Sequence, residues 1–125
     1  MATITKQFLS ASTQGKGIKI TTTASDGTGD GGLSNANPIH AAVAGTTDID
    51  EVWLYASNTD TSAIVLTIEF GGTTSVTDTI VTTVAASSTE LVVPGLIIQN
   101  GLNIRAFAAT NNKISIFGFV NRLDY

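Results

Sequence analysis

The chain has no cysteine, which excludes disulfides and thiolate metal sites. It has one histidine, His40, so any acid–base or nucleophile-activating chemistry would have a single imidazole to draw on. Charged residues make up only 13% of the sequence, against about 25% in an average soluble domain. The net charge of −4 comes with no basic patch able to neutralise phosphates, so nucleic acid is not an expected partner. No stretch approaches the roughly 18 apolar residues of a membrane span, and residues 1–7 carry no apolar signal-peptide core. Synthesis in the cytoplasm without export by a standard signal is expected. Runs of good helix formers are also missing.

Thr, Ser, Gly, Ala, Val and Ile dominate what is present. At 42% hydrophobic, the composition is too apolar for disorder. The 125 residues suit one domain. Residues 1–9 read as an N-terminal arm or edge strand. Ile18–Ala24, Ile39–Ala44, Glu51–Ser57, Ala63–Phe70, Thr79–Val84, Leu91–Val93, Leu96–Ile98, Leu102–Ala108 and Ile114–Val120 read as short strands. They are punctuated by Gly45-Thr46-Thr47-Asp48, Asn58–Ser62, Gly71-Gly72, a Pro94-Gly95 turn, Asn100-Gly101 and Asn111-Asn112. Residues 25–37, rich in Gly and Asp, read as a flexible insertion loop. Eight to nine short strands without an amphipathic helix predict an all-β antiparallel β-sandwich of jelly-roll type. The Cys–Trp–Cys pattern of immunoglobulin domains is absent.

A half-exposed strand alternates apolar and polar residues. Here one residue parity is aliphatic, and in three strands the other parity is aromatic: Trp53 and Tyr55, Phe107, and Phe117 and Phe119. Side-chain period fixes the face, so Trp53, Tyr55, Phe117 and Phe119 are expected on one side of one sheet or of adjoining sheets. Three readings stand: a subunit interface, where aromatics are enriched; an aromatic core on one sheet; or a platform for sugars. The lack of Asn, Asp, Gln or Arg on the face of residues 115–119 weighs against sugars.

Few residues invite chemistry. His40, in a Pro-Ile-His-Ala-Ala run, reads as structural, and no nucleophile-elbow motif accompanies it. Asp48, Asp50 and Glu51 could form an acid–base pair or hold a cation, but read better as a solvated turn before a strand. Asp26-Gly27-Thr28-Gly29-Asp30-Gly31-Gly32 resembles a calcium loop, yet residue 37 is Asn and the motif does not repeat. Gly71-Gly72 lacks the Lys-Ser/Thr and helix start of a phosphate loop. No catalytic residue, cofactor or metal is expected.

Several segments resemble a known family. These are Ile4–Ser12, Gly15–Ile20, Asp50–Asn58, Leu66–Gly72, Val93–Leu96 and Ile116–Arg122. They look like segments of small virion proteins of tailed bacteriophages. The likeness spans nearly the whole chain except 25–37, and rests on strand patterns without a chemical motif. It implies a non-enzymatic structural role in the virion, commonly that of a jelly-roll capsid decoration (cement) protein, often trimeric. The implied partners are further copies of the chain, as a homotrimer, and the major capsid protein or other virion proteins. Trp53, Tyr55, Phe107, Phe117 and Phe119 are then the subunit-interface candidates. Lys6, Lys16 and Lys19, half of the chain's six cations, are candidates for docking on an acidic capsid. The competing expectation is a carbohydrate- or receptor-binding sandwich of a tail or fibre.

Overall fold

A computed structural model describes residues 2–25 and 38–125. The insertion expected at 25–37 lies, apart from Ser25, outside the described residues. Among the described residues there is no helix, and nine strands follow one another: β1 (Thr3–Phe8), β2 (Ile18–Lys19), β3 (His40–Ala41), β4 (Ile49–Asn58), β5 (Ile64–Phe70), β6 (Thr79–Val84), β7 (Ser88–Ile98), β8 (Asn103–Ala108) and β9 (Ile114–Asp124). They form two antiparallel sheets packed as a sandwich. The first has the order β1-β9-β4-β7, with β2 also on β9; the second has the order β3-β8-β5-β6. From β2 onward the chain changes sheet at every connection except β5–β6.

Period-two alternation sets the faces. In β4 the residues at 50, 52, 54, 56 and 58 are buried and those between them are half-buried. Leu54, Leu66, Ile68, Ile104, Ile114 and Ile116 fill the space between the sheets, each contributing about 1.5–3 kcal/mol of burial. The close approach of β9 to β4 depends on Gly118, where a Cβ would lie 2.0 Å from the Trp53 carbonyl oxygen.

Three strand expectations needed correction, the first being Ile39–Ala44, which pairs as a strand only at His40–Ala41. The segments on either side of Pro94-Gly95 are one strand, not two arms of a turn. Register shifts between Val52/Trp53 and between Leu54/Tyr55 absorb the extra residues as bulges. Gly95 supplies a φ of +76°, which an L side chain resists. Because β7 is an edge strand, Pro94 can sit there without breaking an interior ladder. The strand expected over Ile18–Ala24 pairs as a strand only at Ile18–Lys19. Ile20 donates to the Ile114 carbonyl at 2.8 Å, and the Thr22 carbonyl then accepts from Ala108 at 3.1 Å. This stretch therefore steps from the first sheet to the second across the end of the sandwich.

The N-terminus is an edge strand rather than a free arm. β1 and β2 lie end to end along β9. Residues 9–17 between them leave the sheet and cross to β3. There Ala11 donates to the Ile39 carbonyl at 3.2 Å, and the Leu9 side chain is buried.

Candidate interaction face and a buried polar clamp

The outer side of the first sheet carries the aromatic residues. Cross-strand register arranges its outward residues in rows. Ile4, Leu123 and Ile49 form one row, and Lys6, Asn121, Glu51 and Ile97 the next. Phe8, Phe119, Trp53 and Pro94 form a third, and Phe117, Tyr55 and Leu91 a fourth. Trp53, Tyr55, Phe117 and Phe119 thus share one face of one sheet, as parity required. The aromatic-core reading is overturned, because the core between the sheets is aliphatic and these rings lie outside it. Phe8 and Ile97 are more than 60% exposed, so the face is open.

Glycines make room for two of the rings. A Cβ on Gly17 would meet the Phe117 ring at 2.7 Å, and one on Gly95 would meet Trp53 at 2.9 Å. The far edge of each ring therefore occupies space that a side chain at position 17 or 95 would fill. Trp53 and Phe119 are stacked, with centroids 6.2 Å apart and planes 12° apart. The Lys6 ammonium sits 4.6 Å from the Phe119 centroid, a cation–π contact. The Trp53 indole N–H donates to Glu51 Oε1 at 2.7 Å and the Asn121 amide donates to the same oxygen at 3.0 Å. These two donors hold the Glu51 carboxyl below its usual range. Polar groups therefore do flank the aromatics, from Glu51, Asn121 and Lys6. The residues at 115–119 could not reveal them, because strand pairing brings them from other rows. An open groove of about 370 Å³, lined by Lys6, Gln7, Phe8, Gly15, Gly118 and Phe119, runs at the β1 side.

The other candidates fall elsewhere. Phe107 lies on β8, opposite Thr67, on the second sheet and away from the other four aromatics. Lys19 is exposed on β2 opposite Ser115. Lys16 is exposed in the 9–17 excursion. With Lys6 on β1, all three lysines occupy the β9-flanking edge of the first sheet.

A second constellation was not legible as such. Asp50, expected in a solvated turn, is completely buried. It accepts from Arg122 Nε at 2.7 Å and Arg122 Nη2 at 3.0 Å, from His40 Nε2 at 2.8 Å, and from the Val43 amide at 3.0 Å. Because Nε2 faces a carboxylate it carries the proton, and Nδ1 is left as the acceptor. The Ser10 amide donates to Nδ1 at 3.2 Å, and the Ser10 hydroxyl, 3.0 Å away, donates to the same nitrogen. Ser10 Oγ in turn accepts from the Ala41 amide at 3.0 Å. Burial pushes the His40 pKa down against the raising pull of Asp50. Burial works to raise the Asp50 carboxyl, but the Arg122 and His40 hydrogen bonds outweigh it and hold the pKa low. The Asp50 hydrogen bond raises Arg122.

Ser10, His40 and Asp50 are the residue types of a nucleophilic relay, and the chemistry of the arrangement argues against that use. The single Nδ1 lone pair is shared between the Ser10 amide and the Ser10 hydroxyl. The Asp50 charge is matched by a bidentate guanidinium. The amides beside Ser10 are also spoken for, Ala11 by the Ile39 carbonyl and Ser12 by the Leu9 carbonyl, so neither is free to act as an oxyanion donor. What the network does is clamp four segments together: the 9–17 excursion, β3, β4 and β9. The sequence held one clue, since Asp50 shares the parity of Val52 and Leu54, and Arg122 that of Val120. Among the described residues, no group of three or more His, Asp or Glu side chains is placed to hold a metal ion.

Comparison of the chain with protein-family models, with curated proteins and with solved structures gave no match.

Proposed function

We propose that this chain is a non-enzymatic structural protein of a bacteriophage particle, a capsid decoration protein that works by adhesion. The observation that carries the adhesive part is the outer face of the first sheet. The aliphatic core is complete without Trp53, Tyr55, Phe117 and Phe119, so their burial is not needed to fill the sandwich. They lie on the solvent side with Phe8, Ile4 and Ile97 around them. Such a contiguous apolar face on a small protein marks an interaction site. Low overall charge removes the repulsion that would keep copies or partners apart.

The phage setting rests on the sequence resemblance. The jelly-roll reading is supported by the strand order, in which a five-stranded and a four-stranded sheet exchange the chain at almost every turn. Lys6 and Lys19, on the same side of the first sheet, supply the cations for an acidic capsid partner, with Lys16 in the adjoining excursion. A second reading, a carbohydrate platform, is favoured by the outward Trp53 ring with Glu51 and Asn121 beside it. The bonds that Trp53 and Asn121 make to Glu51 Oε1 use up donors a sugar would need, and this ranks it second.

Cosedimentation with purified heads lacking the protein tests the assignment. Wild type should pellet with the heads, and Trp53→Ala/Phe117→Ala should stay in the supernatant while melting as wild type does. Failure to bind heads, together with saturable binding to a glycan array, would replace the structural reading with the carbohydrate one.

A further inference from the structure

We propose that the β1–β9–β4 part of this face docks a second copy of the chain, the two sheets packed face to face about a two-fold axis running along β9 above Asn121. The proposal rests on the adhesive reading and specifies the occupant. The argument is charge and shape complementarity within the rows. Lys6 and Glu51 flank Asn121 on neighbouring strands, each about 4.8 Å to one side. A two-fold axis lying in the interface along β9 exchanges left and right within every row. It therefore sets Lys6 over Glu51 of the second copy, twice, by symmetry. Asn121, whose amide and carbonyl can pair with their own kind, meets itself.

The neighbouring rows obey the same exchange. Phe8 comes over Trp53 of the second copy, Phe119 over Phe119, Ile4 over Ile49, and Leu123 over Leu123. An axis laid across the strands through this row would instead put Lys6 on Lys6 and Glu51 on Glu51. Lys6 and Glu51 are the only charged residues in these three rows, so the sign pattern selects the first axis. Such an isologous contact closes at two copies. Three strands by the seven residues from 117 to 123 make a footprint of roughly 330 Å² per copy, below the approximately 800 Å² per partner of a stable complex. Pairing in free solution is accordingly weak and concentration-dependent.

Charge reversal tests this. Sedimentation velocity from about 5 to about 500 μM should show wild type passing from monomer to dimer. Lys6→Glu alone and Glu51→Lys alone should each associate at least about ten-fold more weakly, because each places like charges at both symmetric contacts. An equimolar mixture of the two variants should regain dimers, since both contacts then join opposite charges. Misfolded variants could not produce that recovery. Phe8→Ser, which leaves Glu51 and the core untouched, should also lower association. A wild type that stays monomeric throughout, a trimer, no recovery on mixing, or a Phe8→Ser protein that pairs as wild type does would each overturn the proposal. A monomer that still pellets with heads would fail this pairing alone, and the decoration reading would survive.

Discussion

Replacing Asp50 by alanine is the sharpest test of what holds the sandwich together. Four donors converge on this one buried carboxylate. Alanine leaves the His40 Nε2–H and the Val43 amide without an acceptor. Arg122, whose side chain is 23% exposed, can turn to water, so its loss is smaller. Breaking a buried ionic pair from one side costs about 3–5 kcal/mol. Total stabilities run to about 5–15 kcal/mol, so this is a large fraction. For a chain of this size, each kcal/mol lowers the melting temperature by about 3–4 °C, and Asp50→Ala should melt about 10–20 °C below wild type. Asp50→Asn, with the same shape but no charge, should fall between the two. Circular dichroism melts and urea titrations read both. An Asp50→Ala protein melting within about 3 °C of wild type would falsify the clamp as a stabilising element.

The clamp also predicts a pH dependence. Unfolded His40 titrates near 6.5 and the folded value is lower, so between the two the unfolded chain binds the extra proton. Stability is then full above pH 6.5 and is lost as pH falls below it. Urea midpoints measured from about pH 8 to about pH 5 should decline, and His40→Gln should flatten that decline; equal slopes would count against it. Gly118→Ala should cost about 1–3 kcal/mol or more by overpacking, since its Cβ would collide with the Trp53 carbonyl; a melt unchanged from wild type would contradict the close approach of β4 and β9. Gly95→Ala should lift the Trp53 ring, and because Trp53 is the only tryptophan, intrinsic fluorescence reports it directly. An unchanged emission spectrum would mean that the ring does not rest on that glycine.

The fold class was legible because alternation and turn residues carry most of it. Ile64, Leu66 and Ile68 against Val65 and Thr67 fix a strand and its inner face without further information. Parity alone also joined Trp53 with Tyr55 and Phe117 with Phe119. Which side of the sheet would be core was not legible, since an aliphatic and an aromatic face are both apolar. The structure decides it through volume: Ala56, Ala106, Ala108 and Gly118 leave a narrow interior suited to Ile, Leu and Val. Pro94-Gly95 misled because a turn and an edge bulge use the same residues. Phe107 shares the outward parity of the other aromatics within its own strand, and only strand order separates it onto the second sheet. The clamp escaped because its members are far apart in sequence, 30 residues between Ser10 and His40 and 72 between Asp50 and Arg122. Each reads as an ordinary polar residue until topology stacks them.

Clamp and face meet where β1 ends. Phe8 belongs to the aromatic row, Leu9 enters the core, and Ser10 is held by His40, so three successive residues serve surface, core and network. Two anchors therefore flank the exposed ring of Phe8: the ladder to β9 before it and the His40 bond after it. An edge strand held by one neighbour alone would fray, and a frayed β1 would take Ile4, Lys6 and Phe8 out of register with Glu51 and Trp53. Fixing Ser10 keeps those rows aligned, and aligned rows are what a docking partner reads. Loosening the clamp should therefore weaken association before it unfolds the protein. His40→Gln, which keeps a donor and an acceptor but not the imidazole geometry, is the variant to show it. Amide exchange over residues 3–8 should quicken at a temperature where the β4 and β9 amides remain protected. If β1 and β4 exchange together, the clamp stabilises the whole sandwich uniformly and has no particular hold on the face.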